Sequence, residues 1–76
     1  MNNTRRINLK FAMDHIAEAL EILRTEQEGE QDYFDNMPEN LQQSERGMQA
    51  ETAAEELENA CGALEDAQTY IETTIE

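Results

Sequence analysis

A seven-residue repeat in the C-terminal third of the chain restricts the fold more than any other feature. Written from Ala53, the sequence reads AAEELEN, ACGALED, AQTYIET and TIE. Small, apolar and acidic residues each recur in a column of their own: Ala53, Ala60, Ala67 and Thr74; Leu57, Leu64 and Ile71; Glu58, Glu65 and Glu72. Apolar residues at 4-3 spacing hold one side of a helix against a neighbouring helix. The repeat therefore predicts a helix that packs on another helix through an alanine-rich side.

The N-terminal half of the chain has the same spacing and supplies the neighbouring helix. Its seam residues, which become polar towards the end, are Leu9, Met13, Ile16, Leu20, Leu23, Gln27, Glu30 and Phe34. Gly29 lies in the polar part and lowers helix propensity by about 1 kcal/mol relative to alanine, so we expect local looseness there. Two helices of this kind predict an all-α fold, an antiparallel two-helix hairpin that resembles a coiled coil with an alanine-rich seam.

The predicted elements fill one domain, residues 1–76. We expect helix 1 at about 4–35, a turn with a short helix at about 36–43, and helix 2 at about 45–75. Asn36 fits an N-cap of the short helix, with Glu39 at its third position, and Ser44 fits an N-cap of helix 2. Gly47 in the first turn of helix 2 is expected to weaken its start.

Net charge limits the partners that this chain can bind. Eighteen acidic and five basic residues give a formal net charge of −13 at pH 7. Such a field repels nucleic acid and anionic membranes and attracts basic proteins. We therefore expect no direct nucleic-acid binding and no membrane association. Because no segment approaches transmembrane length and the single cysteine cannot form an internal disulfide, we expect a cytoplasmic protein.

Most of the basic residues lie near the N-terminus. Arg5, Arg6 and Lys10 all precede the first acidic residue. Antiparallel pairing of the two helices would bring Arg5 and Arg6 near Glu72 and Glu76. Two interpretations follow: these arginines neutralise the acidic end of helix 2, or they form a functional basic tip.

A second apolar stripe follows helix 1 on the side away from the seam. At about 100° per residue its members fall close together; they are Ile7, Phe11, His15, Ile22 and Tyr33. A single hairpin would leave this stripe in water. We interpret it as a homodimer interface that builds a four-helix bundle; the alternatives are a docking face for another protein, or exposure without a function. The residues that widen the contact arc of helix 2 favour the dimer: Ala50, Ala54, Cys61 and Gln68.

Many of the acidic residues fall in two runs, and neither run contains a basic residue. The first comprises Glu26, Glu28, Glu30, Asp32 and Asp35, and the second includes Glu51, Glu55, Glu58, Glu65, Asp66 and Glu72. On a hairpin about 45 Å long, the acids would give about one charge per 2.5 Å, against one per about 1.7 Å for duplex DNA. The acidic surface therefore predicts imitation of nucleic acid towards a basic groove; the alternative is a solvated face that keeps the chain soluble.

No group of residues in the sequence is arranged for catalysis. His15 lies one turn from Glu18 and beside Asp14, but the order is the reverse of the Glu-x-x-His motif of di-metal bundles. Cys61 has no basic neighbour in sequence that would activate it, and solvated carboxylates are not poised acids or bases. We therefore expect no enzymatic activity, no catalytic or metal-binding residue and no cofactor.

The turn region resembles a known group of proteins. Residues 33–47 read YFDNMPENLQQSERG, and Leu-Glu-x-Ala heptads follow at LENA and LEDA. This combination resembles small acidic proteins encoded by bacteriophages and prophages, which are predicted helical hairpins and are mostly uncharacterised. The resemblance implies a phage-related origin, a hairpin and a bacterial host cytoplasm, and it brings no catalytic residues.

These features predict a non-enzymatic interaction protein. It would occupy the surface of a basic host protein, such as a nucleic-acid-binding or defence factor, through its acidic helices. The alternative is a structural or assembly coiled coil of a phage, with no inhibitory target.

Overall fold

Three helices account for most of the chain. The computed structural model describes residues 1–76, with α1 at Asn3–Asp35, α2 at Glu39–Gln42 and α3 at Glu45–Ile75. Helices hold 89% of the residues and no strand is present, which confirms the predicted all-α fold. None of the helices combines the length and the apolar character that a membrane span requires.

The first helix, α1, is unbroken over 33 residues. It begins after Asn2, whose side-chain oxygen accepts a hydrogen bond of 2.8 Å from the backbone N–H of Arg5. The helix continues through Gly29 without a break. One glycine costs only about 1 kcal/mol, and the polar seam residues Gln27 and Glu30 are still half-buried.

The turn differs from its sequence prediction. Asn36 ends α1, and its backbone N–H donates back to carbonyl groups of that helix. The short α2 begins after Pro38 and has no side-chain cap, so the predicted Asn36 cap is wrong. The residue before a proline is driven out of the helical region, which keeps Met37 outside α2. Gln42 ties α2 to α1, because its Nε2 donates to the carbonyl oxygen of Phe34 at 3.0 Å.

The start of α3 depends on a glycine. Ser44 caps the helix as predicted and accepts a hydrogen bond of 3.3 Å from the backbone N–H of Gly47. Gly47 is buried, and a Cβ atom there would overlap the backbone carbonyl oxygens of Leu41 and Gln42. Gly47 therefore does more than weaken the helix, since its missing side chain lets α2 contact α3.

The molecule is a rod in which α1 contacts α3. Its extents are 58 × 15 × 14 Å, and its radius of gyration is 17.1 Å; a compact domain of this length would have about 11 Å. The predicted length of about 45 Å is too short, because a helix as long as α1 alone spans about 50 Å at 1.5 Å per residue.

The core is thin and consists mainly of small residues. Five residues are buried: Leu20, Gly47, Ala50, Ala54 and Cys61. The leucines and isoleucines of the predicted seam are half-buried along both long helices, at Leu9, Ile16, Leu23, Leu57, Leu64 and Ile71. Such a core removes little apolar surface from water.

The contact side of α3 is rotated from the predicted one. The alanines that were predicted to lie in the seam, Ala53, Ala60 and Ala67, are only half-buried. Thr74, in the same predicted column, is exposed. Instead Ala50, Ala54 and Cys61, which the sequence analysis assigned to a second neighbour, are buried within the single chain. The spacing cannot choose between the two sides, because Leu57 forms a 4-3 pattern with either Ala53 or Ala54.

Candidate interaction surfaces

Two flanks border the contact between α1 and α3. On α3 a glutamate directly follows each of four seam residues, Ala50, Leu57, Leu64 and Ile71. These glutamates form the glutamate flank: Glu51, Glu58, Glu65 and Glu72. On the other side of the seam of α3, an alanine directly precedes each of Ala54, Cys61 and Gln68. These three alanines and two alanines of α1 are half-buried and form the alanine flank: Ala12, Ala19, Ala53, Ala60 and Ala67. Because successive helical residues point about 100° apart, the two flanks lie on opposite sides of the seam.

Arg24 of α1 reaches the glutamate flank. Its Nη2 donates to Oε1 of Glu65 at 2.6 Å, and this is the only ion pair in the structure. Because the two side chains are 53% and 51% exposed, the pair contributes at most about 1 kcal/mol. The other three glutamates of the flank are exposed and have no ion-pair partner. The flank is therefore open to a basic group from another molecule.

The N-terminal arginines do not neutralise the end of α3. Arg5 and Arg6 form no ion pair with Glu72 or Glu76, so the interpretation that they pair there is wrong. Arg5 lies seven residues before Ala12 and therefore continues the alanine flank, on the opposite side of the seam from Glu72. Its guanidinium is exposed and has no acidic partner.

Acidic residues of α1 extend the acidic side beyond the predicted set. Glu21 and Glu28 lie one turn on either side of Arg24, which places them on the same face of the helix. Asp14 precedes Glu21 by seven residues, and all three acids are exposed. Glu28 was among the predicted acidic residues, whereas Asp14 and Glu21 were not, although both lie at seven-residue intervals before Glu28.

The structure separates the acids that were predicted to form one surface. Of these eleven residues ten are exposed. The exception is Glu30, which is half-buried on the seam and lines a shallow concavity with Tyr33, Arg46 and Gln49. Glu26 lies seven residues after Ala19, so it belongs to the alanine side and not to the glutamate flank.

Acidic residues are spaced more widely along the rod than predicted. Eighteen acids over a length of 58 Å amount to one per about 3.2 Å, instead of one per about 2.5 Å, because the rod is longer than expected. A single DNA strand carries one phosphate per about 3.4 Å, and duplex DNA carries one charge per about 1.7 Å. The observed spacing is therefore close to that of one strand and about half as dense as a duplex.

The alanine flank adjoins a surface almost without charge. Apart from Arg5 and Glu26, α1 contributes Asn8, Ala12, His15, Ala19 and Ile22 to this side. Apart from Arg46, which lies seven residues before Ala53, and Glu56, α3 contributes Ala60, Ala63, Ala67, Tyr70 and Thr74. Tyr33 and Ala53 line the same concavity, so the two helices meet along this flank.

The apolar stripe predicted on α1 is exposed. Its exposed fractions are 53% for Ile7, 60% for Phe11, 64% for Ile22 and 48% for Tyr33, and His15 is exposed as well. His15, Ile22 and Tyr33 lie beside the alanine flank, whereas Ile7 and Phe11 lie on the outer side of α1. The stripe is thus divided between two faces of the rod.

A tyrosine of α3 was missed by the sequence analysis. Tyr70 is 74% exposed and lies one turn from Ala67, on the uncharged side. Tyr70 lies seven residues after Ala63 and therefore on the same side of α3. This spacing indicates a surface position beside the alanine flank only once Ala54 and Cys61 are known to be the buried residues of α3.

No three histidine, cysteine or acidic side chains come together as a metal site would require. Cys61 is a free thiol and is buried, and no basic side chain pairs with the exposed acids except Arg24.

Comparisons of this chain with protein-family models, with curated proteins and with solved structures return no match. Its function therefore has to be inferred from the two flanks.

Proposed function

We propose that this chain is a non-enzymatic interaction protein that binds a basic groove of another protein through its glutamate flank. In this proposal α1 and α3 are the arms of an antiparallel hairpin, and two hairpins pair into a four-helix bundle. The basic groove belongs to a nucleic-acid-binding or defence protein in the cytoplasm of a bacterial host. The resemblance of the turn region to phage-encoded proteins supports this setting.

One observation carries the proposal: acidic and uncharged residues occupy opposite flanks of the rod. Acids needed only for solubility would serve equally well on both sides. Instead, glutamates recur every seven residues on one flank, and only Glu65 has an ion-pair partner. A one-sided field of this kind complements a basic groove and steers the approach of a basic protein.

The spacing of the carboxylates indicates which groove fits best. Residues seven apart on a helix are separated by about 10.5 Å along its axis, and acids one turn away, such as Glu55 and Glu21, fill these intervals. The acids of this side alone are spaced more widely than the average of about 3.2 Å over the whole rod, so their spacing is further from the 1.7 Å of a duplex than from the about 3.4 Å of a single strand. We therefore propose a groove that accepts a single strand.

Partner capture in competition with a single strand tests the proposal. The immobilised chain is incubated with a bacterial lysate, washed at rising salt and eluted with a single-stranded oligonucleotide. We expect one basic protein to be released by the oligonucleotide and by salt, because ion-pair binding weakens with ionic strength. The fourfold variant Glu51→Gln, Glu58→Gln, Glu65→Gln and Glu72→Gln should no longer retain this protein.

A matched control removes four charges elsewhere. The variant Glu18→Gln, Asp32→Asn, Glu45→Gln and Asp66→Asn changes exposed acids on the outer sides of the helices. It has the same net charge as the flank variant but an intact glutamate flank, so it should retain the partner. Equal loss from both variants would show that net charge alone drives binding. That result, or a bound protein that the oligonucleotide does not release, contradicts the proposal.

Exposed apolar side chains favour a second candidate, a structural protein that assembles with further copies. Eight large apolar side chains are at least 40% exposed, and assembly would cover such a surface. A structural protein of this kind would form larger assemblies or accompany phage particles, and added oligonucleotide would not affect it.

A further inference from the structure

We propose that a second copy of this chain docks on the alanine flank, with the two copies aligned head to tail. The inference rests on the homodimer proposed above and names the face that forms it. On each copy this face spans both long helices, from Arg5 and Tyr70 at one end to Tyr33 and Ala53 at the other.

The exposed area of the chain supports a second copy. The chain exposes 5718 Å², whereas a compact protein of its mass exposes about 4,700 Å². The difference of about 1,000 Å² is close to the area of about 800 Å² that each partner buries in a stable interface. One side of the rod, 58 Å by 15 Å, has a projected area of about 870 Å² and can supply it.

The distribution of charge selects the alanine flank for this contact. Two chains that each carry a net charge of −13 repel each other, so they can meet closely only where acids are absent. The glutamate flank and the neighbouring acids of α1, Asp14, Glu21 and Glu28, would place like charges in the contact. The centre of the alanine flank meets the condition, and its small side chains allow the backbones of the two copies to approach closely.

Charges at the ends of the flank set the direction of the second copy. Arg5 is exposed without an acidic partner at one end. Towards the other end Glu26, Glu30 and Glu56 outnumber the one base, Arg46. A head-to-tail pair brings Arg5 of each copy towards the acidic end of the other, twice by symmetry. A parallel pair would instead place like charges together, which is unfavourable.

This face differs from the predicted apolar stripe in two residues. Ile22 and Tyr33 lie beside the alanine flank and belong to both interfaces. Ile7 and Phe11 lie on the outer side of α1 and would stay exposed in the dimer. Phe11 therefore distinguishes the two arrangements.

Sedimentation equilibrium of single-residue variants tests the face. Ala63 is exposed within the single chain, so Ala63→Glu should keep the fold but bury a carboxylate between the copies. We expect the dimer dissociation constant to rise by a factor of about 100 or more. Asn59→Glu adds the same charge to the same helix on its outer side, and Phe11→Glu adds it to the outer side of α1. Each should change the constant by less than about threefold.

Circular dichroism checks that each variant keeps its helix content, and Tyr70→Glu replaces Ala63→Glu if the latter unfolds. A wild-type chain that stays monomeric overturns the inference. A loss of dimer in Phe11→Glu or Asn59→Glu as large as that in Ala63→Glu also overturns it. Capture of the basic partner is a separate measurement, so its failure in the wild type would reject the proposed function and leave the sedimentation result unchanged.

Discussion

Gly47 shows how the absence of one side chain decides the packing at the turn. Helix propensity alone would make this glycine a weakness in the first turn of α3. The structure gives it a positive role, because the carbonyl oxygens of Leu41 and Gln42 occupy the space that a Cβ atom would need. Gly29 has the same residue type and the opposite environment, since nothing lies within 4 Å of its missing Cβ.

The variant Gly47→Ala should lower the free energy of unfolding by about 1–3 kcal/mol, because the overlap outweighs the gain in helix propensity. Gly29→Ala should raise it by about 0.4–1 kcal/mol, because alanine restricts the unfolded chain and fits the helix without strain. Urea unfolding followed by circular dichroism measures both changes. If the two variants shift the free energy in the same direction, the close approach of α2 to α3 is wrong.

At the scale of the helices, the small residues of α3 set how closely it can lie to α1. Ala54 is 1% exposed and Ala50 is 4% exposed, so neither has room for a larger side chain. Ala53, next in sequence, is only half-buried. The rotation of α3 by one residue thus decides which alanines form the core and which form the flank.

The variant Ala54→Leu should lower the free energy of unfolding by about 1–3 kcal/mol through overpacking. Ala17→Leu, at an exposed position of α1, serves as the control and should change it by no more than about 0.5 kcal/mol. Thermal and urea unfolding at low protein concentration compare these variants with Ala53→Leu. A larger cost for Ala53→Leu than for Ala54→Leu would restore the seam predicted from the sequence.

The predictable part of this fold is the part that periodicity encodes. The spacing of Leu9, Ile16 and Leu23 predicts a helix and its apolar side, and Ser44 predicts the start of α3. Periodicity does not encode rotation, because Leu57 pairs equally well with the alanine on either side of the seam. The end of α1 at Asn36 depends on the proline two residues later, whose steric effect competes with a favourable cap.

The candidate surfaces were predictable to a similar degree. Composition predicts an acidic surface, and the seven-residue columns contain the glutamate flank. The division of the apolar stripe between two faces was not predicted, although it follows from the seam of α1, which the sequence contains. Arg5 and Glu72 were assigned to each other because antiparallel pairing brings the ends of the helices together, although the two residues lie on opposite sides of the seam.

At the scale of the whole molecule, the elongated shape explains why the core is thin, because most residues of a rod lie at its surface. A rod of 58 × 15 × 14 Å buries five of its residues, so the free energy of unfolding of a single chain has few contributors. In our proposal a second copy that covers the alanine flank adds to this free energy, and the glutamate flank remains free for a partner. Both roles require α1 and α3 to lie side by side.

A spin-label distance between the two long helices tests that central claim most directly. Labels are attached at Thr25→Cys and Asp66→Cys in a Cys61→Ala background, both at exposed positions, and the labelled chain is diluted in excess unlabelled chain. Two helices packed side by side, with axes 8–10 Å apart, predict a label separation of about 20–30 Å. A separation of about 60 Å, as in one continuous helix, would contradict the side-by-side packing and with it both flanks.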